Sequence, residues 1–159
     1  PHNTILKGAG FFNRAWYFDE VLAKGAGGAD TALLMDSDNI GWSGNDVFTG
    51  RYNQSALSGP TRFGGTYQNT AEQFRTVKAF FTKGNDEANL YDSPDPLVVD
   101  RLSAAKNYAS FYNKDLIFSY LVSGLDNFLD KVNVFSKNWS RDTKSIGVLY
   151  YTLDATRTW

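Results

Sequence analysis

The chain is predicted to be all-β, built from stacked copies of a unit of about 55 residues. A parallel β-solenoid is the first choice and a β-sandwich the alternative. Three observations lead there. Phe18 to Ser37 lies over Phe74 to Ser93 without a gap, matching Phe18 with Phe74, Val21 with Val77, Ala23 with Ala79, Gly28 with Gly84 and Asp30 with Asp86. The match continues through Ala32 with Ala88, Leu34 with Leu90, Asp36 with Asp92 and Ser37 with Ser93. Second, the matched apolar residues step by two, the spacing of a strand with one buried face. Third, clusters of Gly, Asp, Asn and Ser punctuate the apolar stretches, as turns require.

In chain order, residues 1–17 read as the tail of an earlier unit. Ile5-Leu6-Lys7-Gly8 there resembles Ala56-Leu57-Ser58-Gly59. Residues 18–73 form repeat one. It opens with Val21 and Ala23 on one strand face, turns at Gly25-Ala26-Gly27-Gly28, and continues through Thr31 to Met35. Further strands are expected from Val47 to Tyr52 and from Ser55 to Leu57, with punctuation at Gly59-Pro60 and Gly64-Gly65. Residues 74–127 form repeat two. Within it, Val98, Leu102, Ala105 and Ala109 fall at helical spacing, yet alignment of Asp100 with Asp46 and of Phe111 with Leu57 favours strands over 97–112. Strands are the preferred reading. Leu116, Phe118, Tyr120 and Val122 alternate as another strand. Residues 128–159 form a degenerate repeat three, with Val132 in the place of Val77 and Val148 to Tyr151 in the place of the second strand. Arg141 to Lys144 replaces the glycine turn. Val21, Ala32, Leu34, Val77, Ala88, Leu90 and Val132 should point inward, with Phe18 and Phe74 at equivalent places.

Composition narrows the function. Sixteen basic residues stand against 17 acidic ones, for a net charge of −1. No basic face of the kind nucleic acid requires is visible, and no apolar run reaches the roughly 18 residues of a membrane-spanning helix. Cysteine is absent, which removes disulfides, thiolate catalysis and cysteine-based zinc sites. The one histidine, His2, lies near the amino end, a poor place for a general base or zinc ligand. Beginning at Pro1 with Met35 as its single methionine, the chain reads as a processed or excised segment.

The block Gly-x-Asp-x-Ala-x-Leu-Tyr-Asp-Ser, here Gly84 to Ser93, resembles a repeat of very large secreted and surface bacterial proteins. Gly8 to Ala15 and Phe18 to Ala23 resemble the linker and opening strand of that unit. The resemblance covers most of residues 5–135 and implies an extracellular or cell-surface module without a defined chemistry. A weaker resemblance, through Gly27 to Leu33, is to the calcium-binding nonapeptide roll of exported toxins and enzymes, though the nonapeptide is not iterated in tandem here.

Repeated acids are the candidate metal ligands: Asp30, Asp36, Asp86 and Asp92, with Asp46 and Asp100 also at matched positions. Calcium takes six to eight oxygens, and a full set is not visible. Turn-holding through backbone amides is preferred, with Asp36 and Asp92 expected to cap their own turns. Trp42, in a Gly/Ser-rich stretch, and Trp139 are the candidates for stacking on sugar rings, against a core role for most of the 12 Phe, 9 Tyr and 4 Trp. No catalytic residues are assigned. The expectation is a non-catalytic structural or adhesive repeat module, its partners other copies or neighbouring repeats. A carbohydrate-binding or carbohydrate-cleaving solenoid, with polysaccharide as partner, is the alternative.

Overall fold

The structure, a computed structural model, describes residues 3–8, 11–16, 18–26, 29–36, 44–82, 84–93, 100–105, 108–113, 119–124, 129–135 and 143–146. These residues are all-β, with no helix among them. In chain order the strands are β1 (Asn3–Gly8), β2 (Phe11–Trp16), β3 (Glu20–Lys24), β4 (Thr31–Met35), β5 (Val47–Arg51), β6 (Gln54–Pro60) and β7 (Thr66–Glu72). They continue as β8 (Thr76–Phe81), β9 (Asp86–Tyr91), β10 (Asp100–Ala105), β11 (Tyr108–Asn113), β12 (Ser119–Gly124), β13 (Leu129–Phe135) and β14 (Thr143–Ile146).

Two open mixed sheets result. The eight-stranded sheet runs β14-β10-β11-β12-β8-β4-β1-β2, and the six-stranded sheet runs β13-β9-β5-β6-β7-β3. Tight turns join β5 to β6 and β6 to β7 as an antiparallel meander; Gly64, at φ 86°, makes the second turn possible. β10, β11 and β12 form the same meander in the other sheet. After each meander the chain crosses to the opposite sheet and then returns, so β8 joins the eight-stranded sheet and β9 the six-stranded one. Residues matched in sequence therefore land in alternate sheets: β4 lies in one and β9 in the other, as do β3 and β8.

β4 meets β1 antiparallel, whereas β8 meets β4 and β12, β9 meets β5 and β13, β3 meets β7 and β10 meets β14 in parallel, and the parallel registers repeat. Ala32 pairs with Val77 and Leu34 with Ala79 where β4 meets β8; Ala88 pairs with Val132 and Leu90 with Val134 where β9 meets β13. Backbone bonds at the strand exits repeat as well. The Asp36 amide donates to the Phe80 carbonyl at 3.1 Å, and the Asp92 amide to that of Phe135 at 3.0 Å.

The inward-facing residues of both sheets merge into one core, including Leu34, Val77 and Phe81 from one sheet and Phe48, Leu57 and Leu90 from the other. Small and large residues alternate across the strands: Ala88 sits between Phe48 and Val132, and Ala79 beside Leu34. This lets neighbouring strands share one layer of the core. The outer face of the six-stranded sheet carries ladders instead. Lys131 meets Glu87 at 3.4 Å, Asn133 donates to Asn89 at 2.8 Å, and Phe135 stacks on Tyr91 with centroids 4.4 Å apart.

Residues 100–105 and 108–113 are strands, the preferred reading of the stretch with helical spacing. Two expectations need correction. Thr143 and Lys144 are in β14, not in a turn, because this segment takes the parallel register beside Arg101 and Leu102. Val148 to Tyr151, expected there, lies outside the described residues. Phe18 and Phe74 occupy matched places but differ in environment: Phe74 is 7% exposed and Phe18 59%. Val21 is likewise only half-buried where its match Val77 is buried. β8 is flanked on both sides, by β4 and β12, whereas β3 ends its sheet beside β7.

Burial at the centre and exposure at the edge predict opposite responses to the same truncation. Leu90→Ala, at a fully buried position, should cost about 2–5 kcal/mol of unfolding free energy. Leu22→Ala, at a position 51% exposed, should stay within about 0.5 kcal/mol. Denaturant midpoints of the two variants measure both.

Candidate functional site

Beside one another, β5 and β9 begin as parallel strands, and their approaches are held at backbone contact. Gly84 has φ 139°, a conformation that side chains resist, and a Cβ there would lie 1.6 Å from the Gly44 carbonyl oxygen. Only glycine allows this approach. Three hydrogen bonds then tie the segments together: the Asn85 amide donates to Asn45 Oδ1 at 3.0 Å, the Asp46 amide to Asp86 Oδ1 at 2.9 Å, and the Glu87 amide to the Asp46 carbonyl at 2.9 Å.

Asp46 is thereby driven into the interior. Its Oδ1 accepts a 2.6 Å hydrogen bond from the Tyr67 hydroxyl, brought from β7 across the meander. Gly59, on the strand between, makes room, since a Cβ there would fall 2.0 Å from Asp46 Oδ1. Asp46, Tyr67 and Asp86 are all buried. Asp46 Oδ2 has no hydrogen-bond partner among the described residues. Burial pushes the Asp46 carboxyl above its ordinary value of 3.8, against the opposing effect of the Tyr67 hydrogen bond. Burial also raises the Tyr67 phenol, and the neighbouring Asp46 carboxylate raises it further.

Above this cluster lies an open groove of about 620 Å³, lined by Asp19, Glu20, Asn45, Ser58, Tyr67 and Gln68 among others. Among the described residues Tyr67 is the sole aromatic of that lining, and its hydroxyl is committed to Asp46. Its described lining therefore presents carboxylates and amides to solvent, with the Tyr67 ring turned inward.

The four candidate metal ligands are dispersed along the strand ends. The Asp30 carbonyl accepts from the Thr76 amide at 3.2 Å, where β4 and β8 begin. Asp86 belongs to the cluster with Asp46. Asp36 is buried at the exit of β4, its carboxylate accepting from the amide and, at 2.9 Å, the hydroxyl of Thr82. Asp92, also buried, marks the exit of β9. Among the described residues no three acidic or histidine side chains converge as a metal-ligating group. The amide held by Asp36 belongs to the neighbouring strand, not to its own turn. Parallel strands leave the sheet side by side, so the nearest exposed donor at the exit of β4 is the end of β8. Trp42 and Trp139 lie outside the described residues.

Sequence reasoning missed Tyr67 as the partner of Asp46. Its signal is present in Tyr67-x-Asn69-x-Ala71, an alternating inward set that polar neighbours disguise. No family model, curated protein or solved structure matches the chain.

The raised acid sets the sign of a pH effect. A folded-state pKa above the unfolded one means that the stability contributed by Asp46 is complete below 3.8 and is lost as the pH rises through the folded value. For Tyr67 the contribution is complete below 10.0 and declines at higher pH. Tyr67→Phe should lower stability by about 1–3 kcal/mol at neutral pH, because the Asp46 oxygen loses its donor, and should weaken the alkaline decline of the melting temperature. Melting curves from pH 3 to 11 on both proteins check the two effects together.

Asp36 yields a separate contrast. Asp36→Asn keeps an acceptor toward Thr82 and should cost little, whereas Asp36→Ala strands two donors and should cost about 1–3 kcal/mol. Chemical denaturation of the pair measures the difference.

Proposed function

We propose that the chain is a non-catalytic structural or adhesive repeat module of a secreted or cell-surface bacterial protein, folded as a stacked β-solenoid and assembling with copies of itself. The observation that carries this reading is the recurrence of strand registers and exit hydrogen bonds at the period of the sequence repeat, from Asp36–Phe80 to Asp92–Phe135. Units that pair only with their predecessors and successors form an array that can be lengthened without redesign. The resemblance of Gly84 to Ser93 to repeats of large exported proteins supports the same reading. Asp36 and Asp86 fit it as groups whose carboxylates hold the amide of a neighbouring segment.

The carbohydrate reading draws on the groove beside Asp19 and Glu20. It ranks second because Tyr67, the one ring among the described residues of that lining, is buried and hydrogen-bonded inward.

Sedimentation of the purified chain over a wide concentration range should give a mass that grows above the 17.7 kDa of a single copy. A constant mass, combined with glycan-array binding or polysaccharide depolymerisation, would replace this reading with the second. A melting temperature lowered by a chelator would restore calcium to the account of Asp30, Asp36, Asp86 and Asp92.

A further inference from the structure

β2 and β7 are matched strands with unmatched surroundings. Asn13 and Ala15 of β2 precede Asn69 and Ala71 of β7 by 56 positions. Both pairs face the preceding strand alike: Asn13 opposes Leu6 and Ala15 opposes Thr4, as Asn69 opposes Leu57 and Ala71 opposes Ser55. The far side of β7 is taken by β3, with Asn69 opposite Val21 and Ala71 opposite Ala23 in parallel register. The far side of β2 has no described strand, because β2 ends the eight-stranded sheet.

The phenylalanines that follow these strands report the same difference. Phe74, just beyond β7, packs beside Gly25 at the exit of β3, where a Cβ on Gly25 would lie 3.5 Å from its ring. Phe18, just beyond β2, is 59% exposed. What covers Phe74 is the exit of a parallel strand carrying inward residues two apart, and among the described residues β2 has no such strand beside it. A strand of that type stands at another sheet end. β13 presents Val132 and Val134 in the places of Val77 and Ala79, and it ends the six-stranded sheet.

We propose that β13 of one copy pairs in parallel with β2 of a second copy, Asn13 opposite Val132 and Ala15 opposite Val134, joining copies head to tail. This rests on the repeat-module reading and supplies its partner and register. The same placement brings β14 of the first copy to the free side of β3 of the second, as β4 lies against β8 within the chain. All four sheet ends meet in one junction, and each sheet of one copy continues into the opposite sheet of the next. Strands at sheet ends attract a further strand through their backbone amides and carbonyls. Because the two patches differ, the contact does not close on a pair and propagates.

The absence of cysteine makes the register directly measurable. Thr70 opposes Leu22 in the β7–β3 pair, so Arg14 and Asn133 should be opposed across the junction. Arg14→Cys mixed with Asn133→Cys should form an oxidised dimer; each alone should not, and a chain carrying both should give a ladder. Asn133 donates to Glu87 and Asn89, so the pair Phe12→Cys with Lys131→Cys repeats the test at an exposed side chain. Phe18→Ser should raise the concentration for half-assembly about tenfold, leaving the melting temperature of the dilute chain unchanged. Growth of mass without either mixed cross-link overturns this junction and leaves the repeat-module reading standing. Self-cross-linking of Arg14→Cys as readily as mixed cross-linking overturns it in favour of a symmetric contact. A single-copy mass at every concentration removes both the junction and the assembly.

Discussion

Parallel strands cannot be joined by a tight turn, and this constraint orders the whole molecule. A chain that has laid down a strand and must place its next parallel neighbour in the same sheet has to leave that sheet first. Here it leaves by crossing to the opposite sheet, so the connection is itself a strand. β7, β8, β9 and β10 follow one another in sequence, and each lies in the other sheet from its predecessor. The sequence repeat is thus one step of an alternation, and two repeats are needed to return to the same sheet. Such a step also explains why β3 and β8, nearly identical in pattern, face the core from opposite sides.

The buried polar cluster follows from the same geometry. With β5 and β9 parallel, their approaches must converge from one end of the sheet, which crowds Gly44 against Gly84. Backbone donors accumulate at that end, since several strands start together without a hairpin to consume their amides. Aspartates are the natural residues to meet them, with side chains short enough to reach an adjacent backbone. The cost appears at Asp46, where one carboxylate oxygen is satisfied by Tyr67 and the other has no partner among the described residues. A raised pKa is the physical expression of that incomplete compensation.

The residues themselves carried the fold class and the period. Matched pairs such as Ala32/Ala88 and Leu34/Leu90 have similar side-chain surroundings, so a gap-free alignment found them, and both pairs are buried. The repeat did not disclose which sheet each copy joins, because a strand with alternating apolar residues fits either face of a two-layer core. Nor did it disclose β7. Thr66 to Glu72 holds Asn69 and Thr70 in buried positions, and polar residues at inward places hide the period of two. Asp46 was legible as a repeated acid. Its link to Tyr67 joins the entry of β5 to β7, across the intervening β6, and that pairing left no local trace. The exposure of Phe18 was illegible for a different reason: a local pattern records what a residue can pack against, while its exposure depends on whether a neighbouring strand is present.

The position of β8 has a consequence for the order of events during synthesis. Thr76 pairs with Thr31 on one side and with Ser119 on the other. One partner has therefore been made before β8 emerges, and the other must wait for more than 40 further residues. At translation rates of about 5–20 residues per second, one edge of β8 stays open for roughly 2–9 s. The meander of β10, β11 and β12 is local and closes quickly once made, so the wait is set by the ribosome more than by the folding of the incoming strands. During that interval the outward residue at the middle of β8 is Lys78, a charge of the kind that discourages an open strand from recruiting the wrong chain.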